Sequence, residues 1–411
     1  MQSKNNILVE KERCTGCGAC AYVCPKQCIK MYTDEILGYL PHVNTDECIE
    51  CGKCQQTCPI LHPVKIRNPI EAYAARSINS EEARTSASGG IACSIYRFAL
   101  SKGYSIAGAV QQSDFSVNLM IGNNALDIER FKNSKYVFCN ASTLYPKLAK
   151  LLKQDKMVVV AALPCHIAAI RNIFHEHKNL FLIDIVCHGT TPTQFLQQHI
   201  SFIENKLHHN VESMCFRDPN FTTSTYTFSL YNKFGDCIYA KRTKHGDTYQ
   251  YGYHRAISYR ENCYQCYFAQ PQRTGDISLA DYPGLGRVKP FPYDRRNINC
   301  VLINTEKGDK FLKEMIDKHL IEAFHRPLEE SIQGNGQLRH PVTKTKARKH
   351  FIENMHQNGG DFEKAMKPIM KKGLRREKMR ELFLLPRRAA RKVIRMINNY
   401  INEKSWNHHH S

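Results

Sequence analysis

The sequence predicts a small cysteine-rich α+β domain, then an α/β body with a mixed, mostly parallel sheet, and finally a basic helical tail. Two copies of one cysteine motif lie in the first sixty residues, and alternating strand-like and helix-like apolar patterns follow them. Between residues 371 and 395 there are eleven Lys and Arg but only two acids. With 411 residues, of which 42% are hydrophobic, the chain can form two or three packed domains. We predict the boundaries at residues 1–64, 70–160, 161–345 and 346–411.

The duplicated motif has the spacing C-x2-C-x2-C-x3-C-P, in CTGCGACAYVCP at residues 14–25 and in CIECGKCQQTCP at residues 48–59. Four thiolates hold an iron–sulfur cubane, and in runs of this spacing the fourth cysteine ligates the cluster of the other run. The pattern therefore predicts two [4Fe–4S] clusters. The first is predicted at Cys14, Cys17, Cys20 and Cys58, and the second at Cys24, Cys48, Cys51 and Cys54.

Structural zinc sites also use C-x2-C pairs, so zinc is the alternative interpretation of these cysteines. Zinc does not explain a third cysteine at the same spacing, a proline after the fourth cysteine, or the duplication of both features. Residues 5–62 resemble the bacterial two-cluster ferredoxins, which implies a ferredoxin-like α+β fold for this domain. Cys28 lies outside the motif and is interpreted as a buried spare thiol.

The cellular compartment follows from the cysteine distribution and from the apolar runs. Half of the eighteen cysteines lie before residue 60, whereas a secreted disulfide scaffold would be small and would spread them along the chain. The N-terminal stretch MQSKNNILVEKERC has no apolar signal region. The longest apolar runs, MVVVAALPC and LFLIDIVC, are too short to span a bilayer. We therefore expect a cytoplasmic protein.

The body shows strand and helix patterns in alternation. GIACSIYRFALSKG predicts a helix that ends at Gly103, and YSIAGAVQQ predicts a strand. KMVVVAALPCHIAAIRNIF predicts a buried strand, a turn and a helix, and LFLIDIVCHGTTP predicts another strand that ends at Cys187 and His188. Such alternation is typical of an open α/β sheet with sites at the strand ends.

Neither GxGxxG nor GxxxxGK[ST] follows a predicted strand, so a nicotinamide Rossmann site and a P-loop are both unsupported. The loop from Arg84 to Gly90 carries small hydroxyl residues and two glycines before a helix, which suits an anion but equally suits an ordinary N-cap. Cys165 and Cys187 follow buried strands, and Cys263 and Cys266 form a C-x2-C pair. These four thiols could form a third metal site, or Cys165 and Cys187 could be buried apolar thiols.

Taken together, the body motifs resemble the coenzyme F(420) hydrogenase/dehydrogenase beta subunits, of which plant hydroxymethyl-chlorophyll reductase is a relative. The likeness covers about residues 70–345, with the motifs in the family's order. The motifs are Arg84 with Ser88-Gly89-Gly90, Ser134-Lys135-Tyr136, LPC at 163–165, DIVCHG at 184–189, and C-x2-C at 263–266 followed by TGDISLADYPGLG at 274–286.

The resemblance implies an α/β body that binds FAD and a third [4Fe–4S] cluster and exchanges hydride with a deazaflavin or another organic substrate. It implies cluster ligation by Cys165, Cys187, Cys263 and Cys266. It also implies flavin contacts at Arg84, Ser88, Gly89, Gly90, Ser134, Lys135 and Tyr136, with the FAD phosphates near Ser88-Gly89-Gly90 and Lys135. Two departures, His166 where relatives commonly have Gln, and Tyr282-Pro283-Gly284 where they have Trp-Gly, leave the substrate open.

The sequence thus predicts an FAD-dependent iron–sulfur oxidoreductase whose flavin links two-electron substrate chemistry to one-electron clusters. The expected partners are an organic hydride donor or acceptor and a redox protein or small electron carrier. The alternative is an electron-transfer subunit without a substrate of its own, which flavin content would distinguish.

The tail from residue 371 to 401 predicts one or two basic amphipathic helices, broken at Pro386. In the second helix Val393, Ile394 and Ile397 share a face. Docking on an anionic membrane is one interpretation, and packing on the body with the charges solvated is the other. No nucleic-acid-binding motif is present, so no nucleic acid is expected as a partner.

Overall fold

The structure is a computed structural model, and it describes residues 8–383. Its first sixty residues contain a two-stranded antiparallel sheet and two five-residue helices. The elements are α1 (Ala19–Val23), β1 (Ile29–Asp34), β2 (Gly38–Val43) and α2 (Lys53–Thr57).

The sequence repeat is also a repeat of backbone conformation. Gly18 and Gly52 precede α1 and α2 with φ of 76° and 71°, a left-handed conformation that favours glycine. Cys24 and Cys58 follow the two helices in extended conformation. Each motif therefore forms a loop, one short helix and a fourth cysteine that points away from that helix end.

The body is built on one nine-stranded sheet with the order β14-β3-β13-β12-β8-β7-β4-β5-β6. Its strands are β3 (Glu71–Ser77), β4 (Ser105–Gln111), β5 (Val117–Gly122), β6 (Cys139–Asn140), β7 (Val158–Ala162), β8 (Leu180–Ile185), β12 (Ile277–Asp281), β13 (Asn299–Ile303) and β14 (Ile321–Arg326). Parallel pairs join β12, β8, β7 and β4, and also β5 and β6. The other four pairs are antiparallel. The prediction of a mixed α/β sheet is confirmed, with the parallel strands at its centre.

Helices cover both faces of this sheet. They are α3 (Ser80–Thr85), α4 (Ile91–Ser101), α5 (Ala125–Phe131), α6 (Leu144–Lys153), α7 (Pro164–Phe174), α8 (Thr193–Leu207), α9 (Thr248–His254), α10 (Glu306–Asp317), α11 (Leu328–Gly334) and α12 (Lys346–Gln357). In β7, Val158 and Val160 face one hydrophobic core, and Val159 faces the other. Burial on both faces explains why the central strands are continuous apolar runs.

A second, three-stranded sheet lies between α8 and α9 in the sequence, in the order β11-β10-β9. Its strands are β9 (Ser213–Cys215), β10 (Thr227–Tyr231) and β11 (Cys237–Arg242). Phe228 from β10 and Tyr249 from α9 are fully buried in the core beneath the main sheet. The connection between β9 and β10, together with α9, contributes residues to one wall of the large cavity described below.

The strand and helix predictions agree closely with the structure. The predicted helix is α4, which ends two residues before Gly103, and the three predicted strands are β4, β7 and β8. The structure differs at Pro164, which is the first residue of α7 because a helix tolerates proline there. β8 ends at Ile185, so Cys187 lies in the loop beyond it.

The first part of the predicted tail belongs to the body. After α12 the chain is helical from residue 362 to 383, and Phe351, Phe362 and Met366 are fully buried against α8 and the second sheet. From residue 371 onward this helix is largely exposed. The predicted break at Pro386 and the second tail helix lie outside the described residues. Within residues 8–383, no helix is long and apolar enough to cross a bilayer.

Candidate cofactor sites

The first cysteine group combines the two motifs. Cys58 from the second motif and the first three cysteines of the first motif line one small cavity, of about 20 Å³. Burial, together with smaller contributions from the neighbouring Cys14 and Cys58, raises the pKa of the Cys17 thiol to about 12. The amide of Gly16 donates to Cys14 Sγ at 3.4 Å. The structure therefore brings together the four residues predicted for the first cluster: Cys14, Cys17, Cys20 and Cys58.

The second group contains one thiol more than the sequence predicted. Cys24 Sγ lies 3.4 Å from Cys28 Sγ. Burial, followed by Cys24 and Cys48, raises the pKa of Cys28 to about 11. Burial also raises the pKa of Cys54, with smaller contributions from Cys48 and Cys51. Cys51 is exposed, so this group is the more solvent-accessible of the two. Cys28 is buried as predicted, but it touches a predicted cluster ligand rather than lying apart from the group.

The four predicted body cysteines line a common cavity of about 80 Å³. They come from three parts of the chain: the first turn of α7, the loop after β8, and a 3₁₀ turn at Glu261–Gln265. Burial, followed by the neighbouring Cys263, raises the pKa of Cys266 to about 11. Burial also raises the pKa of Cys165, as do the neighbouring thiols of Cys266 and Cys187.

Backbone amides point at these body thiols. Gly189 donates its amide to Cys187 Sγ at 3.3 Å, and Thr190 donates to Cys263 Sγ at 3.5 Å. Hydrogen bonds of this kind stabilise thiolates and tune iron–sulfur clusters. All eighteen cysteines are free thiols, and among residues 8–383 no three His, Cys, Asp or Glu side chains are placed to hold a single metal ion. The three groups of thiols with nearby amide donors have the chemistry that cubane clusters require.

A larger cavity, of about 400 Å³, lies beside the body cysteines. Five of the seven predicted flavin contacts line it: Ser88, Gly90, Ser134, Lys135 and Tyr136. Arg84 lies on the surface of α3 instead, where it forms an ion pair with Glu81 at 2.6 Å. Gly89 packs against the sheet, where an added Cβ would lie 2.7 Å from the carbonyl oxygen of Ala75.

At one end of this cavity the side chains predicted to bind phosphate already have protein partners. Lys135 Nζ donates to the carbonyl oxygens of Lys132 at 2.7 Å and Phe131 at 3.2 Å, at the C-terminal end of α5. Burial lowers the pKa of Lys135 to about 8. Ser88 Oγ donates to the carbonyl oxygen of Ile298 at 2.9 Å. Gly90 supplies no side-chain cap to α4, and the first amide of that helix, at Ile91, donates to Asn299 Oδ1 at 3.2 Å. A helix N-terminus still favours an anion at this part of the cavity.

The opposite end of the cavity is aromatic. The rings of Tyr136 and Tyr253 stack with centroids 4.5 Å apart, and His254 meets both edge-on. Arg217 forms a two-oxygen ion pair with Asp281 at 2.9 and 3.0 Å. Burial, followed by the nearby His188 and Arg217, lowers the pKa of His254 to about 4. A neutral histidine with a buried, unpartnered Nε2 therefore faces the cavity.

The two cavities share a wall. His166 and residues 187–190 line both of them. The His166 side chain is 1% exposed, its Nδ1 has no hydrogen-bond partner, and burial lowers its pKa to about 4. On the other side, Cys165 is close enough to Cys17 for the two thiols to interact electrostatically. The large cavity, the body thiols and the first motif group therefore lie in a row.

Sequence reasoning missed most of the aromatic end, because most of the residues that form it lie outside the motifs. Tyr226 lies just before β10, and Tyr253 and His254 belong to α9. Arg217 lies just after β9, and its acid partner Asp281 belongs to the recognised TGDISLADYPGLG stretch. The TGDISLADYPGLG motif was the only sequence signal for the wall that contains Arg217 and Asp281, and it did not indicate which residues lie opposite Asp281.

The cysteine motifs and the α/β body with its thiol-lined cavity define an iron–sulfur electron-transfer protein of the oxidoreductase type. Residues 155–327 match the family model that describes the C terminus of the coenzyme F420 hydrogenase/dehydrogenase beta subunit. Residues 13–60 match the model of the 4Fe-4S dicluster domain. The resemblance predicted from the motifs is confirmed, and the chain is related to these beta subunits through the first match and to dicluster ferredoxins through the second.

Among solved structures, the chain is similar to a chain of the F420-reducing [NiFe] hydrogenase complex from Methanosarcina barkeri, studied with xenon. The identity is 18% and the TM-score is 0.44, over 71% of this chain and 94% of that chain. No curated protein matched the sequence significantly.

Proposed function

We propose that this protein is an FAD-dependent iron–sulfur oxidoreductase. It passes electrons between an organic hydride donor or acceptor, FAD and three [4Fe–4S] clusters. The observation that carries this proposal is the wall shared by the large cavity and the thiol-lined cavity. A flavin can exchange two electrons with a substrate and one electron with a cluster, so it belongs where the two cavities meet.

The clusters would be held by the three groups of thiols. Cys14, Cys17, Cys20 and Cys58 would hold the first, Cys24, Cys48, Cys51 and Cys54 the second, and Cys165, Cys187, Cys263 and Cys266 the third. FAD would occupy the large cavity, with its diphosphate at the N-terminus of α4 near Ser88 and Gly90. The unpartnered nitrogens of His166 and His254 would offer hydrogen bonds to the flavin or to a substrate.

Electrons would leave or enter through the second motif group, because Cys51 is exposed there. A redox protein or a small electron carrier would therefore meet the chain at this exposed group of cysteines. The eighteen free thiols suit the reducing cytoplasm. A deazaflavin is one candidate for the organic substrate.

Metal and flavin analysis of the full chain tests the proposal. Anaerobically purified protein should contain about twelve irons, four for each cluster, and one noncovalent FAD. Cys263→Ser should remove about four irons. Cys215→Ser is the matched control, because Cys215 is partly buried but belongs to none of the three groups. About eight irons in wild type, unchanged by Cys263→Ser, would remove the third cluster from the proposal.

One observation favours a second function, an electron-transfer subunit without FAD. The ammonium group of Lys135 is already bonded to carbonyl oxygens of α5, which weakens the case for a diphosphate contact there. Flavin content separates the two functions, since protein that holds all its iron but no flavin under any condition would support the subunit.

The exposed end of the helix at 362–383 suits an anionic surface. Six Lys and Arg lie between residues 371 and 383, against two Glu. Met379 is 53% exposed and Phe383 is 75% exposed on the same stretch. Basic charge beside exposed apolar side chains is the composition of interfacial helices, and we propose peripheral contact with anionic lipid here.

A further inference from the structure

Arg260 lies between the body cysteines and the first motif group. It immediately precedes the 3₁₀ turn that carries Cys263, and its backbone amide donates to the carbonyl oxygen of Thr190 at 2.8 Å. Its side chain is among the largest that are fully buried, and it also lines the cavity of the body thiols. The guanidinium points away from the body sheet, toward the first sixty residues.

Every hydrogen bond of this guanidinium goes to a backbone carbonyl of the first sixty residues. Nε donates to Leu37 at 3.0 Å, and the terminal nitrogens donate to Tyr39 at 2.9 Å, to Cys14 at 3.3 Å and to Thr15. Its carbon lies 4.7 Å from the centre of the Phe138 ring. One side chain from the body thus joins the loop of the first motif to the β1–β2 hairpin.

Gly16 makes this approach possible. It has φ of 70°, and a Cβ added there would lie 2.9 Å from both terminal nitrogens of Arg260. A side chain at position 16 would therefore displace the guanidinium from the loop. The glycine between Cys14 and Cys17 serves the arginine as well as the tight turn of the motif.

The charge of Arg260 has no acidic partner. Six arginines are buried in residues 8–383, and the other five each form an ion pair with an Asp or Glu within 4.0 Å: Arg171, Arg217, Arg273, Arg326 and Arg348. No carboxylate of the described residues lies within that distance of Arg260. Arginine stays ionised in proteins, and a buried cation without an anion is strongly disfavoured.

Arg260 is in contact with two different groups of thiols. Its guanidinium donates to the carbonyl oxygen of Cys14, and its side chain lines the cavity of Cys263 and the other body cysteines. A cubane held by four thiolates is an anion, and each electron that it accepts adds negative charge. Clusters on both sides of Arg260 would supply the counter-charge that the protein itself does not provide.

We propose that Arg260 is a positioning residue that clamps the first motif loop to the body and supplies the fixed positive charge that raises the reduction potentials of the two clusters flanking it. The proposal rests on the proposed function, because it needs clusters at Cys14, Cys17, Cys20 and Cys58 and at the four body cysteines. A fixed cation stabilises the more negative, reduced cluster, and burial keeps water from screening it. The reduction potentials of both clusters rise together, so the difference between them, which drives electron exchange, changes little.

The test compares Arg260→Gln, which removes the charge, with Arg260→Lys, which keeps it but cannot reproduce the four carbonyl bonds. The full chain is purified anaerobically, its iron is counted, and its clusters are titrated with redox dyes while their electron paramagnetic resonance signals are recorded. For the two flanking clusters, Arg260→Gln should lower the equilibrium constant for reduction at least tenfold, which is about 59 mV for one electron. Arg260→Lys should change it less than threefold, and the cluster at Cys24, Cys48, Cys51 and Cys54 should be unaffected in both.

Unchanged potentials in an Arg260→Gln protein with full iron would overturn the proposal, and so would equal shifts in the two variants. If Arg260→Gln loses iron, the proposal is tested with Arg260→Lys alone. A tenfold shift in the equilibrium constant for cluster reduction in that variant, which retains the charge, would contradict an electrostatic role. Wild-type protein without the two flanking clusters would refute the proposed function instead, and the iron count reveals that case before any titration.

Discussion

A buried histidine should make the stability of this protein depend on pH in the alkaline range. His199 on α8 is 2% exposed, and each of its ring nitrogens meets a carboxylate. Nδ1 lies 2.6 Å from Glu363 on the terminal helix, and Nε2 lies 2.9 Å from Asp247 at the start of α9. Although burial opposes the charge, Asp247 and Glu363 raise the pKa of His199 to about 9.

The sign follows from the direction of that shift. The ordinary pKa of 6.5 is raised in the folded state, so protonated His199 stabilises the fold fully below pH 6.5. The contribution is lost as the pH rises from 6.5 through about 9. At about 1.4 kcal/mol for each pKa unit, the shift is worth about 3 kcal/mol, a large part of typical domain stability. The helix at residues 362–383, which carries Glu363, should detach from the body first.

Urea denaturation of the full chain at pH 6 and pH 9.5 measures this contribution. The free energy of unfolding of wild type minus that of His199→Gln should shrink by about 3 kcal/mol between the two pH values, because titrations common to both proteins cancel. His350→Gln is the control, since His350 is exposed on α12 and pairs only with Glu353. A wild-type advantage of equal size at both pH values would refute the assignment of a protonated His199.

Three further predictions concern the cofactors and the tail. Cys58→Ser should lose the cluster of Cys14, Cys17 and Cys20 and keep the other motif cluster, because Cys58 shares a cavity with the first group. Mössbauer and electron paramagnetic resonance spectra that show loss of the second motif cluster instead would contradict this prediction. Lys135→Glu should weaken FAD retention measured by equilibrium dialysis. Lys135→Met removes the ammonium group and its carbonyl bonds without adding a negative charge, so it shows how much of the loss comes from the introduced carboxylate. Deletion of residues 379–411 should preserve iron content and reduce binding to vesicles that contain anionic lipid, more so at low salt, whereas lost iron would assign the segment to packing.

The structure indicates that the deletion of the tail should begin at residue 379 rather than at residue 371. A cut at residue 371, the start of the basic run, would remove Leu374, which packs on the hydrophobic core, and Glu377, which pairs with Arg255. Both contacts belong to the body, so their loss would lower stability for reasons unrelated to lipid. Met379 and Phe383 are exposed, and a cut at residue 379 removes only the surface-facing part of the described helix.

The central fold was predictable because its signals are local. β7 and β8 are short apolar runs that can only be satisfied by burial on both faces, and the cysteine spacing dictates a loop and a helix in each repeat. The grouping of Cys58 with the first motif follows from the same spacing. In these cases a few neighbouring residues determine the structure.

The remaining features depend on packing contacts, some of them between distant segments, that no residue pattern reveals. Arg260 reaches carbonyl groups more than 220 positions away in sequence, and such acceptors exist in every peptide unit, so no residue pattern reveals them. Cys28 looks isolated in the sequence until β1 and α1 fold it back against Cys24. Lys135 was predicted from its motif to face a phosphate, but the C-terminal carbonyls of α5 occupy its ammonium group. Motif spacing therefore predicts which residues gather, and packing decides which of their atoms remain available.

The charge distribution supports our proposal that the external redox partner binds at the second motif group. The first 64 residues carry six Lys and Arg against seven Asp and Glu, whereas the whole chain has a formal charge of +20. Asp46, Glu47 and Glu50 lie within five positions of the exposed Cys51 and are themselves exposed, and Ile49 in the same segment is 56% exposed. A carrier with a basic face would be attracted to this end and repelled by the rest of the surface.

Reduction of such a carrier should therefore slow with rising salt in wild type, and the double variant Glu47→Lys and Glu50→Lys should reverse that dependence without changing iron content. A salt response identical in wild type and the double variant would place the exit elsewhere on the chain.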